Sequence, residues 1–464
     1  MKMRWDELLS QEHFAAADGE EISGRNDYET IICSTFFRRL QDKAQVFPLA
    51  GDDYVRTRLT HSLEVSAIGK KLGEYTVKKA KTLGKGREEI PEEISEKLLC
   101  AGLVHDIGNP PFGHFGEYAI REWFREHLKE LALKERRVTE LLSEWQLGDL
   151  YFFEGNAQSL RVLSKTPYMG RMDGFNLSYG VLASMIKYPV SSETLSRNVS
   201  VPYKKFGYYY AERQLFESIS RGTGMAGRRH PLSFLLEAAD DIAYRTSDLE
   251  DALVKKVIAL QQILEVFEHH LKELECKKKN KDGLEQAVRR LKKLYREEVG
   301  KKNRKPELTA VQRWNQYLQE QMIKDAGDSF LEHYEALMQG GFLGELFDGT
   351  PSESILLALA EISEEYVYTS SAKTRAELFG RRVIEALLDQ FLPAALVYDT
   401  GEDASYIQRR TMDTVSEFYK SMYHSEASGK SPSEKLYLRI LMITDYISGM
   451  TDSYARRLYQ ELNV

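Results

Sequence analysis

Apolar residues recur at i, i+3, i+4 and i+7 over long stretches of the chain, a spacing that predicts helices rather than alternating strands. Residues 61 to 80 set His61, Val65, Ile68 and Leu72 on one stripe. Residues 91 to 106 open on Pro91, read as a first-turn proline, and continue with Ile94, Leu98, Leu99 and Leu103. Residues 231 to 253 again open on a proline, and Leu232, Leu235, Leu236, Ala239, Ile242 and Ala243 mark the buried face. Beside that face Asp240, Tyr244 and Asp248 recur every fourth residue; at about 100° per residue they share one edge, whereas Asp241 points away. Residues 255 to 305 read as a charged helical hairpin turning at KKKNKDG, with a solvated face, and 306 to 464 as further amphipathic helices. The expected fold is mostly α.

Composition refines this picture. The 464 residues suit two or three units or one large core with insertions, and 42% hydrophobic with 29% charged residues is ordinary for a globular protein. No stretch approaches the ~20 consecutive apolar residues of a membrane helix, and the start, MKMRWDELLSQEHF, lacks a signal-peptide apolar run, so a cytoplasmic location without membrane contact is expected. Cys33, Cys100 and Cys276 are widely spaced without a CxxC pair, which argues against a disulfide framework or a thiolate zinc site. A formal charge of −7 argues against nonspecific nucleic-acid binding by the whole surface.

The candidate chemistry gathers at helix boundaries. His61, His105, Asp106 and Asp240 supply two imidazoles and two carboxylates, a set suited to Mn, Fe, Co, Ni, Zn or, less comfortably, Mg. A histidine at a helix C-terminus is favoured by the dipole, but Asp106 there is disfavoured by up to about 1 kcal/mol unless a cation sits beside it. Such an ion lowers the pKa of a water and polarises a phosphoryl oxygen. GTGMAG (222 to 227) fits GxGxxG but follows no strand, so it reads as a mobile, arginine-flanked loop and not a dinucleotide site.

The order His61, His105-Asp106, Asp240 resembles the H…HD…D signature of HD-domain metal-dependent phosphohydrolases. Longer words resemble the bacterial dGTP triphosphohydrolases: FRRLQDKAQVFPL, RTRLTHSLEV, HDIGNPPFGHFGE, FEGNAQSLRVL, HPLSFLLEAADDIAYRTSDLEDA and DYISGMTDSYA. The resemblance spans most of the chain. It implies an HD-domain helical core at 1–254 holding a divalent metal, Mg or Mn first, on His61, His105, Asp106 and Asp240. The same likeness sets a hairpin insertion at 255–305 and C-terminal helices at 306–464 that pack on the core and contribute to the substrate site or an oligomer interface. It implies hydrolysis of a dNTP, preferentially dGTP, at the α-phosphate to deoxynucleoside and inorganic triphosphate. His114 is then the proton donor to the leaving 5′-oxygen and Glu117 its partner, a pairing that suits general acid catalysis.

Tyr244 matches a tyrosine that closes on C2′ and excludes ribose. Asp248 and Gln45 match positions that meet the 3′-hydroxyl. Arg58, Asn109, Asn156, Lys187 and Lys205 match phosphate-side positions, with Lys204 competing in register. Members form homo-oligomers, hexamers or tetramers, and some respond to a nucleotide or single-stranded DNA effector. Two other readings stay open: an HD nucleotidase or phosphodiesterase on another nucleotide, and a nucleotide or single-stranded-DNA sensing module with incidental activity.

Overall fold

A computed structural model describes residues 2–14, 26–47, 54–84, 89–167, 174–195, 205–277, 280–401 and 403–463. Among these, regular structure is helical apart from isolated bridges and one hairpin of two-residue strands, Ala132–Leu133 with Arg136–Arg137. None of the described helices is long and apolar enough to cross a membrane. Lys204 lies outside the described residues, as does part of the KKKNKDG turn.

At the centre of the fold three helices pack on one another; two carry the chemistry near an end and the third carries it along its length. Helix α1 (Arg58–Leu83) starts with a capping box in which Thr57 and Thr60 satisfy each other's backbone N–H groups. Helix α2 (Ile94–Val104) begins three residues after Pro91, which therefore precedes the first turn instead of occupying it. The two pack tightly because Gly102 lets the backbones meet: a Cβ there would stand 2.7 Å from Ser66 Cα. Val65, Leu72, Ile94 and Leu98 fill the seam with no exposed surface, each contributing about 1.5–3 kcal/mol of burial.

Helix α3 (Gly113–His127) follows the Pro110-Pro111 turn, and α4 (Gly155–Lys165) lies across the end of α2. Helix α5 (Pro231–Val254) has Pro231 at its first position and His230 as N-cap, accepting from Leu232 N at 3.1 Å. It packs on α1 and α2.

The charged stretch forms α6 (Leu260–Cys276) and α7 (Asp282–Gly300). Charged residues cover one face, but Ile263, Phe267, Leu284, Val288 and Leu291 are buried. They meet α8 (Pro306–Glu332) and α9 (Pro351–Ile362), and α8 in turn packs on α1 and α5. A π-helical turn, Ser363–Val367, leads from α9 to Tyr368. Helix α10 (Ser371–Val397) lies on α3, and α11 (Pro432–Ser448) on α10. At the loop 222–227, Gly227 N bonds Ser220 Oγ at 2.7 Å, and the next residue, Arg228, bonds Gln339 O at 3.1 Å.

Candidate active site

His61 enters one turn into α1, and His105 caps the end of α2. The chain then turns at once: Ile107 N bonds Val104 O at 3.1 Å and Asn109 N bonds Asp106 O at 3.2 Å. Gly108 makes the turn possible, since a Cβ there would lie 2.1 Å from Ser159 N on α4. Asp240 projects from α5 toward both histidines, its Oδ1 3.1 Å from His61 Nε2 and 3.6 Å from His105 Nε2. One donor atom from each of His61, His105 and Asp240 lies within 4.8 Å of the others.

Asp106 stands at the edge of that group. Its Oδ2 is 3.9 Å from His61 Nε2 and 3.6 Å from His105 Nε2, is bonded by Arg58, and its Oδ1 takes Asn109 Nδ2 at 2.5 Å. The residues suit a divalent cation. His105 Nδ1 donates to Gly102 O at 2.8 Å, which leaves Nε2 as a lone-pair donor, and that nitrogen is buried without a hydrogen-bond partner. The protein's own charges show the same demand. Burial alone depresses His105, yet Asp106 and Asp240 bring it up to about 9. Burial raises Asp106, but Arg58 and the two histidines outweigh it and hold the carboxyl well below the usual range.

After the prolines, Phe112 and Gly113 take left-handed backbone conformations, φ 64° and 68°, and Phe112 N is bound by Asp452 Oδ1 at 2.9 Å. This swings the chain back so that α3 starts beside the cluster. His114 is exposed at its side chain, and its Nδ1 is 3.4 Å from Glu117 Oε2. Glu117 is buried, accepts from Gly155 N at 3.1 Å at the start of α4, and is bonded by Arg121. Burial raises its carboxyl, but the His114 hydrogen bond and the charges of Arg121 and Lys205 bring it down to about 2.

These groups line one cavity of about 530 Å³, within the range of small-molecule sites, roughly 300–1,000 Å³. Gln45, Asn109, Asn156, Lys187, Lys205, Tyr244 and Asp248 line it with the cluster and the His114-Glu117 pair. Asp240, Tyr244 and Asp248 do line the cavity from one edge of α5, while Asp241 does not line it and lies between Arg245, at 3.7 Å, and the Tyr244 side chain. Gln45 Oε1 is buried without a partner, an acceptor awaiting a donor. Asp248 is buried, and burial followed by the charge of Asp251 pushes its carboxyl up to about 8. Burial, helped by Asp241, also holds the Tyr244 hydroxyl far above its ordinary range.

Arg58 is 1% exposed and is not among the residues that line the cavity; one guanidinium nitrogen bonds Asp106, while its Nε and Nη2 are buried without hydrogen-bond partners. Arg58 opens α1, one turn before His61, and its side chain is buried there beside the Asp106 carboxylate.

Several lining residues escaped the sequence reading. Glu237 stands one turn before Asp240 on α5, so helical spacing from Asp240 could have found it, and Glu154 immediately precedes GNAQSL, two residues before Asn156. Tyr368, Lys373 and Glu377 arrive from the far end of the chain without a motif. The Tyr368 hydroxyl donates to Asp248 Oδ2 at 3.3 Å, and Lys373 is bonded to Glu377.

The HD domain family matches residues 58–162. A deoxyguanosinetriphosphate triphosphohydrolase-like protein of Listeria innocua is 40% identical over 474 residues, covering 99% of each chain. A protein of the same description from Pseudomonas aeruginosa is 33% identical, covering 99% of this chain and 98% of that one. The deoxyguanosinetriphosphate triphosphohydrolase of Serratia proteamaculans is 30% identical, covering 94% and 93%.

Proposed function

Because the chain belongs to the deoxyguanosinetriphosphate triphosphohydrolase-like family of HD-domain proteins, we propose that it cleaves dNTPs, dGTP by preference, at the α-phosphate. The products are a deoxynucleoside and inorganic triphosphate. The observation that carries this reading is the convergence, in one cavity, of the His61, His105, Asp106 and Asp240 cluster with the His114-Glu117 pair.

His61, His105 and Asp240 hold the divalent ion, with Asp106 completing the set while Arg58 and Asn109 fix its orientation. When bound, that ion supplies Lewis-acid polarisation of the phosphoryl group and a water made acidic enough to attack. Lys187 and Lys205 neutralise charge along the phosphate chain, and Asn156 and Asn109 donate hydrogen bonds beside them. His114 carries a proton to the leaving 5′-oxygen, and the ionised carboxylate of Glu117, fixed by Arg121 and the start of α4, orients the imidazole. Its exposure lets the imidazole reload its proton from solvent.

At the sugar, the 3′-hydroxyl donates to Gln45 Oε1 and accepts from the protonated Asp248 carboxyl, and the Tyr244 ring closes on C2′, where a ribose hydroxyl would have no room. Four dNTPs and GTP, assayed with Mg and with Mn and with products separated by chromatography, test the whole reading. Tripolyphosphate from dGTP ahead of other dNTPs, and none from GTP, is expected; phosphate or pyrophosphate instead would transfer the protein to the nucleotidases.

A further inference from the structure

Both lysines that line the phosphate side are tethered in the same way. Lys187 Nζ sits 2.7 Å from Glu237 Oε1, and Arg229 holds Glu237 Oε2 at 2.5 Å. Lys205 Nζ sits 3.2 Å from Glu154 Oε1, and Arg121 holds Glu154 Oε2 at 3.0 Å. Each arginine is itself anchored: Arg229 Nε donates to Ser233 Oγ at 2.8 Å with its guanidinium 3.7 Å over the Phe234 ring, and Arg121 Nε donates to Phe153 O at 2.6 Å. A lysine on its four-carbon stem can swing from carboxylate to phosphate. The glutamates cannot withdraw, because their second oxygens are taken.

We propose that Glu237 and Glu154 are positioning residues whose fixed carboxylates hold the two ammonium groups at the cavity wall and limit how tightly a triphosphate is kept. The inference rests on the triphosphohydrolase reading. A phosphate chain that draws a lysine toward itself shares that cation with a carboxylate it also repels. An intact dNTP offsets this with its sugar and base contacts. Inorganic triphosphate, once cut loose, has no such contacts, so the opposing acids act most strongly on the product and speed its departure. Removing one acid should strengthen binding of the substrate and, most of all, of the released triphosphate, which lowers KM without raising kcat.

The test is titration calorimetry of inorganic tripolyphosphate against the full-length parent, Glu237→Gln and Glu154→Gln, with steady-state kinetics on dGTP. Tripolyphosphate should bind Glu237→Gln on the order of tenfold more tightly, since a like-charge opposition has been removed. KM and kcat should fall together as product release slows. Unchanged or weaker tripolyphosphate binding in a folded Glu237→Gln protein overturns the proposal. If that variant unfolds, Glu154→Gln decides by the same criterion. Failure of the underlying reading looks different: the parent itself would then release no tripolyphosphate from dGTP.

Discussion

Replacing Asp248 by asparagine should stabilise the protein at neutral pH while impairing it as an enzyme. The Asp248 carboxyl is buried, and burial, with the nearby Asp251 charge, pushes it up to about 8 despite relief from the Tyr368 hydroxyl and Arg56. In the unfolded chain it titrates near ~3.9. Between those values the folded protein holds a proton that the unfolded chain has lost. Its contribution to stability is therefore complete below about pH 4 and is lost as pH rises toward about 8, at about 1.4 kcal/mol per unit. Asparagine keeps the shape and the hydrogen bond to Tyr368 but has nothing to ionise.

The difference in unfolding free energy between Asp248→Asn and parent should thus move in the variant's favour by ~3 kcal/mol from about pH 5.5 to about pH 7.5. Urea titrations of both proteins at the two pH values measure it. A difference that stays constant with pH refutes the assignment of a proton to buried Asp248. On activity the expected sign is opposite: an amide N–H is a weaker donor to the 3′-hydroxyl oxygen than the carboxylic O–H it replaces, which should lower kcat/KM for dGTP by about tenfold or more.

Other sites give equally direct tests. His114→Gln should reduce kcat by about 10²–10⁴ with little change in KM in steady-state kinetics, the loss typical of a missing general acid. Asp106→Asn strips the buried Arg58 guanidinium of its anionic partner and should cost about 3–5 kcal/mol in a denaturant titration. Gly108→Ala places a methyl group 2.1 Å from the Ser159 backbone nitrogen, which cannot yield as a side chain could, so a loss of at least about 1–3 kcal/mol is expected together with loss of turnover.

Local physics made much of the site readable in the sequence. The 3.6-residue period marked α1, α2 and α5, and four-residue spacing on α5 was enough to align Asp240, Tyr244 and Asp248 along the cavity and leave Asp241 out of its lining. The HD pair at the end of an apolar run, followed by two prolines, announced a turn carrying His114 and Glu117. Arg58 shows where such reading stops: its spacing from His61 is clear, but its bond to Asp106 is set by how the end of α2 packs beside the first turn of α1. The charged hairpin was legible as helices, yet the depth to which its apolar stripe is buried depends on α8 and α9.

The sequence by itself determined the helices, their polar ends and the set of donor groups, because helix periodicity, capping and turn chemistry act among residues a few positions apart. Tertiary structure alone decided the rest. It carried Tyr368 more than a hundred residues to Asp248, tied Lys187 and Lys205 to glutamates from other segments, and used Asp452 to hold the Phe112 turn. Such contacts form only when distant segments bury apolar surface together, and the polar partners a buried group then finds are set by that packing and not by spacing along the chain.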